Sequence, residues 1–405
     1  MRTPTDPEPD GRAVLGLSLD VVVLSAVAFC VALGFGIVAP ALPIFARSFG
    51  VSATAASAVI SVFALVRLVG ATPAGALVDR VGERTTLAWG LAVVAVSSAL
   101  AGLATTYLQL LVLRGVGGLG SAMFTVSAMS LLLRSVGPER RGRAAGVFNG
   151  GFLLGGVAGP ALGGAFTAVS LRLPFFIYAG TLGLGLIVVL ALLPRVASRA
   201  EVPPAQDADP RPGKPLRTAI GSPAYRAALA VNFANGFTAF GLRSALVPLF
   251  VVEGLQRSPA LTGYGLLAAA AFQGALLWPA GRVSDEGGRK LALLIGTAVA
   301  GAGMALLALA VGPWSFLVSM AVLGVGAAFL GSAPAAIVGD VAGARRSGPL
   351  VAVYGMCSDI GAISGPLAAG AMVDLTGSFA PAFWSGAAVL GLALLLALPM
   401  PARQR

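Results

Sequence analysis

Apolar runs of about 20 residues, the length that crosses a bilayer as a helix, fill almost the whole chain. Short polar, glycine-bearing or proline-bearing breaks separate them. The pattern predicts twelve spans. Spans 1 to 6 cover Gly16–Phe45, Ala53–Val78, Leu87–Ala104, Tyr107–Leu133, Ala144–Ala168 and Leu173–Leu193. Spans 7 to 12 cover Ala227–Val252, Leu261–Val283, Leu291–Ala310, Trp314–Val338, Pro349–Val373 and Phe383–Pro399. Each is read as a helix, because lipid offers no partner for an unpaired backbone group. Gly34, Gly36, Pro40 and Pro43 break span 1 toward its far end. The apolar periodicity stops over residues 194–225, a linker rich in proline and charge. The chain therefore divides into a tail (1–15), six spans (16–193), the linker (194–225), six spans (226–400) and a tail (401–405).

The two sets of spans are copies. A shift of 206 residues carries Gly75, Asp79 and Gly82 onto Gly281, Asp285 and Gly288, and Pro73 onto Pro279. The same shift carries Gly155, Gly159 and Pro160 onto Gly361, Gly365 and Pro366. Internal duplication in a hydrophobic chain is a mark of secondary transporters.

Composition agrees: 57% of residues are hydrophobic and 11% charged, against about 25% charged in soluble domains. The net charge of +11 would suggest nucleic acid as a partner, but its placement points elsewhere. With the N-terminus in the cytoplasm, 21 of the 27 Lys and Arg fall in inside loops, the asymmetry of the positive-inside rule. The basic balance thus reads as topology and contact with anionic lipid, with no nucleic-acid partner. Both termini are expected in the cytoplasm, and the Ala, Gly and Arg bias suggests a bacterial plasma (inner) membrane. Cys30 and Cys357 sit in apolar spans, so no disulfide framework is implied. The chain has no histidine, which removes histidine-based metal sites and catalytic triads. Neither a nucleophile motif nor a phosphate-binding loop is seen, so no enzyme activity, ATP drive, metal or cofactor is expected.

Charges inside the spans are the candidate chemistry. A charge at mid-membrane costs about 2.5–3.5 kcal/mol on insertion scales, so it normally has a partner or a function. Arg67 lies 12 residues before Asp79, and Asp359 lies 11 after Gly348; at about 1.5 Å per residue these are depths of roughly 18 and 16.5 Å. Equal depth from the same side makes them a candidate pair, either a static salt bridge or a proton-coupling site. A carboxyl in apolar surroundings tends to keep its proton, and a facing guanidinium favours its release. Arg114 and Arg243 lie toward the other side, where packing on a neighbouring helix's carbonyls is one reading of Arg114. Asn232 and Arg243 are 11 residues apart, within about 20° of one helix face at 100° per residue, with Asn235 about 60° aside. That polar stripe suggests a cavity wall, to which Phe35, Met123 and Phe237 can add apolar surface, although core packing is the simpler reading of each of these three.

Gly146, Gly155, Gly159, Gly163 and Gly164 crowd span 5, and three of them recur every four residues, which lets a partner backbone approach. Pro160 removes a helical hydrogen bond and bends the span. Gly75-Ala-Leu-Val-Asp79-Arg80-Val-Gly82-Glu-Arg84 is a short charged knot between spans 2 and 3. These stretches resemble the major facilitator superfamily: the knot its signature loop, Gly146–Gly164 its antiporter motif, and Leu111–Gly120 its span-4 motif, a resemblance that makes Arg114 a proton-coupling candidate. The resemblance runs over essentially the whole chain. It implies an all-α membrane protein of two pseudo-symmetric six-helix bundles that rock about a cavity. Spans 1, 4, 7 and 10 would line that cavity, and the pairs 2/11 and 5/8 would meet between the halves. Asp79 would then be a cytoplasmic latch on a helix start in the other half, with a weaker copy at Asp285; a merely solvated turn is the alternative.

The expected function is proton-coupled export of small, largely apolar compounds by a monomer whose partners are its substrate, protons and lipid. Import of a metabolite by symport or facilitated diffusion, and a sensor that transports nothing, are the alternatives.

Overall fold

The computed structural model describes residues 13–14, 17–136, 141–193, 216–331, 333–342 and 348–401. Twelve helices long and apolar enough to cross a membrane make up nearly all of it. They are α1 Leu19–Arg47, α2 Ala53–Val81, α3 Glu83–Gly102, α4 Tyr107–Arg134, α5 Arg143–Val169 and α6 Leu173–Leu192. The second half supplies α7 Pro223–Gly254, α8 Ala260–Glu286, α9 Arg289–Ala308, α10 Pro313–Val341, α11 Pro349–Thr376 and α12 Ala380–Ala397. The predicted spans are all present, with ends moved by a few residues. Before α1, Ala13–Val14 and Leu17–Ser18 form a two-residue antiparallel pair. Most of the predicted linker lies outside the described residues. Within it, Leu216–Ile220 is a short helix, and α7 begins two residues before the predicted end.

Local chemistry sets the breaks. α1 steps at Ala39–Pro40, where proline cannot donate to the ladder. Ser52 Oγ accepts from Ala55 N at the start of α2, and Thr106 does the same for α4, each satisfying a donor that the first turn leaves free. The α2–α3 and α8–α9 turns are closed by Gly82 (φ 86°) and Gly288 (φ 98°), at positions related by the repeat. A side chain is strained at that φ.

Within each half the spans pack in the same order. α1 lies on α5 and α6, and α7 on α11 and α12. The halves meet along α2 with α11 and α5 with α8. One further feature repeats with a change. Arg134 pairs with Glu83 at 2.9 Å in the first half, tying the end of α4 to the start of α3. The same two positions in the second half are Asp340 and Arg289, 3.5 Å apart, so acid and base have changed places.

Candidate functional site

The two ends of the bundle differ. At the end carrying Arg47 the halves are joined. Arg47 makes a two-pronged ion pair with Glu253 of α7, Nε to Oε1 at 2.7 Å and Nη2 to Oε2 at 2.9 Å. Arg47 and Glu253 are themselves related by the 206-residue shift, so the pair sits where the two copies face each other. Beside it, the Asp374 carboxylate of α11 accepts from Ala53 N (2.8 Å), Thr54 N (2.9 Å) and Thr54 Oγ1 (2.5 Å). A carboxylate of one half thus caps the first turn of a helix in the other, where free N–H groups and the helix dipole favour an anion. Glycines allow the backbones to touch there. A Cβ on Gly164 would lie 2.5 Å from the Cα of Gly263, and one on Gly370 would lie 2.6 Å from the Cα of Thr54. The sequence reading missed Arg47, Glu253 and Asp374 as a set, although the repeat shift linking the first two was available.

Moving inward, Ser61 Oγ donates to Ile363 O at 2.7 Å, and Arg67 Nη2 donates to Asp359 Oδ1 at 2.6 Å. The two charges placed at equal depth by counting residues do meet, across the α2–α11 seam. Their side chains are 40% and 26% exposed, so protein does not fully enclose the pair.

Beyond this level no hydrogen bond or ion pair joins the halves among the described residues. Asp79 and Arg80 are exposed, and a Cβ on Gly75 or Gly281 would meet nothing within 4 Å. Arg84 donates to Leu190 O, inside its own half. Asp285 is bound by Arg289 four residues on. Among the described residues the Asp79 loop thus makes no hydrogen bond or ion pair with the other half, while the Arg47 end is shut.

The span-5 glycines press on α1. A Cβ on Gly155 would stand 2.5 Å from Phe29 O, and one on Gly159 would stand 2.5 Å from Leu33 O. One on Gly163 would stand 2.8 Å from the Cα of Ile37. Pro160 packs where α1 has Gly36, whose own added Cβ would reach the proline Cδ at 2.7 Å. Gly146 has open space, and the close contact begins at Gly151, where an added Cβ would press on Ser25 O.

The polar stripe on span 7 needs correction. From Gly236 to Leu242 the turns of α7 widen into a π-helix, and Arg243 N bonds to Thr238 O. A wider turn rotates less per residue, so counting at 100° fails across it. Asn232 is buried and donates to Tyr354 O of α11 at 2.7 Å. Arg243 and Asn235 instead face a small cavity lined by α9 and α10. Two other proposed wall residues lie in helix packing: Met123 against Ala74 and Ala122, and Phe237 beside Phe233. Phe35 is 37% exposed and stands near Phe63 and Tyr178. Arg114 is 3% exposed and lies over the Phe63 ring at 4.3 Å, a cation–π contact rather than a bond to carbonyls.

The fold is that of known transporters. A peptide-transporter-type (POT family) protein crystallised with 5-aminolevulinic acid superposes with a TM-score of 0.77 at 13% identity, covering 96% of this chain and 97% of that one. A bacterial homologue of the human lysosomal transporter Spinster, in an inward-facing and occupied conformation, gives 0.73 at 16% identity, with 93% and 95% covered. In sequence, the quinolone resistance protein NorA of Staphylococcus aureus is 26% identical over 253 residues, 60% of this chain and 62% of NorA. The match thus spans less than two thirds of that relative. An uncharacterized MFS-type transporter of Methanocaldococcus jannaschii is 23% identical over 89% of this chain and 93% of its own length. The Major Facilitator Superfamily profile matches residues 24–278 and 228–405; with two six-helix halves joined at one end, this chain is a multi-pass membrane transporter belonging to the Major Facilitator Superfamily.

Proposed function

We propose that this transporter exports small, largely apolar compounds in exchange for protons. The observation that carries the reading is the Arg67–Asp359 pair, which joins the halves across the α2–α11 seam. Rocking that opens the Arg47 end must shift α2 against α11. Such a shift makes the Arg67–Asp359 ion pair in one conformation and breaks it in the other. Proton uptake and release then follow the conformational cycle. The similarity to NorA supports export, and the dense contact of the span-5 glycines with α1 supplies a sealed wall. The placement of Lys and Arg supports a cytoplasmic Asp79 end, so the Arg47 end, shut here, faces away from the cytoplasm. The two halves are read as residues 16–193 and 226–400, in a bacterial plasma membrane with both termini inside.

Flux in proteoliposomes tests this, with a fluorescent lipophilic cation as the transported probe and an imposed pH gradient. The wild type should accumulate the probe against the direction of proton flow. Asp359→Asn should lose gradient-driven accumulation while retaining probe exchange. Accumulation that persists in Asp359→Asn would leave Arg67–Asp359 as a structural pair. Accumulation in the same direction as proton flow would instead mark an importer.

A further inference from the structure

Arg243 stands apart from the other arginines embedded in the bundle. Arg47 and Arg67 each have a carboxylate. Arg172 donates to Gly102 O and Ala104 O, and Arg114 lies over an aromatic ring. Among the described residues, Arg243 has no acidic partner within ion-pair distance and no protein hydrogen-bond acceptor for its guanidinium. A guanidinium keeps its charge in any protein environment, and an uncompensated charge inside a bundle is costly enough that a partner is expected. The side chain is half-buried, and no partner for it lies among the described residues.

The surroundings fit a small anion. Arg243 opens onto a cavity of about 20 Å³ with Asn235, Thr238, Met304, Leu323 and Leu330 on its walls. That volume is enough for a single particle of about the size of water, which needs roughly 10–15 Å³ on this measure, and too little for a transported compound. Thr238 spends its hydroxyl proton on Ala234 O. The Asn235 carboxamide has no protein partner among the described residues and supplies N–H donors to the same space. The π-helical turn from Gly236 to Leu242 holds both in place, with Asn235 just before it and Arg243 just after. Such turns are frequent at functional sites. Water there would satisfy hydrogen bonds but leave the charge, whereas a monatomic anion meets both demands.

We propose that the cavity between the π-helical turn of α7 and helices α9 and α10 binds a chloride ion on Arg243 and Asn235. The site lies within one half, away from the α2–α11 seam, so it does not depend on the direction of transport or on its coupling ion.

The test uses the full chain in lipid nanodiscs. Thermal unfolding is followed in sodium chloride, sodium bromide and sodium gluconate at equal ionic strength. Chloride and bromide should raise the melting temperature in a saturable manner relative to gluconate. Arg243→Gln and Asn235→Ala should each lose that halide-dependent rise. Crystals grown in bromide should show an anomalous peak within hydrogen-bond reach of the Arg243 guanidinium. Identical melting in the three salts, a halide-dependent rise that survives in both variants, or bromide-grown crystals without the peak would each overturn the proposal. Should Arg243→Gln not fold, the Asn235→Ala curve and the bromide peak of the wild type decide the matter.

Discussion

Replacing Glu253 by Gln leaves the shape of the Arg47 contact nearly intact and removes one of its two charges. The size of the effect follows from where the pair sits. Its side chains are 33% and 31% exposed, so it is neither a surface pair nor a buried one. Exposed pairs are worth about 0.2–1 kcal/mol, and removing one partner of a buried pair costs about 3–5 kcal/mol. Two short bonds in the fork geometry move this pair above the surface range. The remaining solvent contact keeps it well below the buried one. About 1–2 kcal/mol is the resulting estimate, a factor of about 5–30 in an equilibrium between two conformations. Because the bonds join the two halves only while the Arg47 end is shut, almost the whole loss should appear as a population shift rather than as unfolding. Spin labels at the ends of α1 and α7, read by pulsed distance measurement, should show the longer distance gaining by that factor in Glu253→Gln. The charge-exchanged double variant, Arg47→Glu with Glu253→Arg, should recover much of the short-distance population. Arg47 also donates to Val51 O, a bond that Glu253→Gln leaves in place. A distance distribution in Glu253→Gln that matches the wild type would refute the reasoning, because the pair would then contribute nothing to closure.

Asp374→Ala removes three hydrogen bonds and should favour the same opened end, by the roughly 0.5–2 kcal/mol typical of a lost helix cap; the same labels read it, and no shift would mean that water replaces the cap. Gly159→Val would drive side-chain atoms into Leu33 O and the Gly36 Cα and should lower thermal stability by about 1–3 kcal/mol, with a melting curve like the parent's counting against the close-contact account. Asp79→Asn should slow cycling without changing expression or melting, because in the conformation described here, shut at the Arg47 end, the residue is exposed. Unchanged turnover together with unchanged cysteine accessibility at the two ends would make its loop a plain turn.

What could be read from the chain alone was whatever depends on counting. Apolar length gave the spans, and the register of the repeat gave the two halves. Nearly equal residue counts from one side, together with the 2/11 neighbouring that the family resemblance implies, placed Arg67 opposite Asp359. What escaped was set by contacts between distant helices. The π-helical turn arises where Gly236 and Gly241 lie directly against α11, at Ser358 and Pro366. Nothing in the spacing of Asn232, Asn235 and Arg243 signals that the ladder widens between them. Asp374 looked like a residue near a span end, because its partners, Ala53 and Thr54, lie 321 and 320 positions away. Met123 and Phe237 were ambiguous by nature, since an apolar side chain is suited alike to a cavity wall and to a helix interface.

The exchanged polarity of the Glu83–Arg134 and Arg289–Asp340 pairs bears on how a duplicated chain finds its fold. Two nearly equivalent sets of helices invite crossed assembly, with α3 taking α10 as its neighbour, or α9 taking α4. Had the copies kept the same polarity, such crossings would have satisfied every charge. As they stand, α3 beside α10 sets Glu83 against Asp340, and α4 beside α9 sets Arg134 against Arg289. Like charges in contact disfavour both errors, while each correct pairing stays attractive. Reversing the first pair, Glu83→Arg with Arg134→Glu, keeps a bridge in each half and removes the discrimination. The yield of monodisperse protein after insertion should then fall while the melting temperature of the correctly folded fraction stays put, and an unchanged yield would show that the order of synthesis alone keeps the two copies apart.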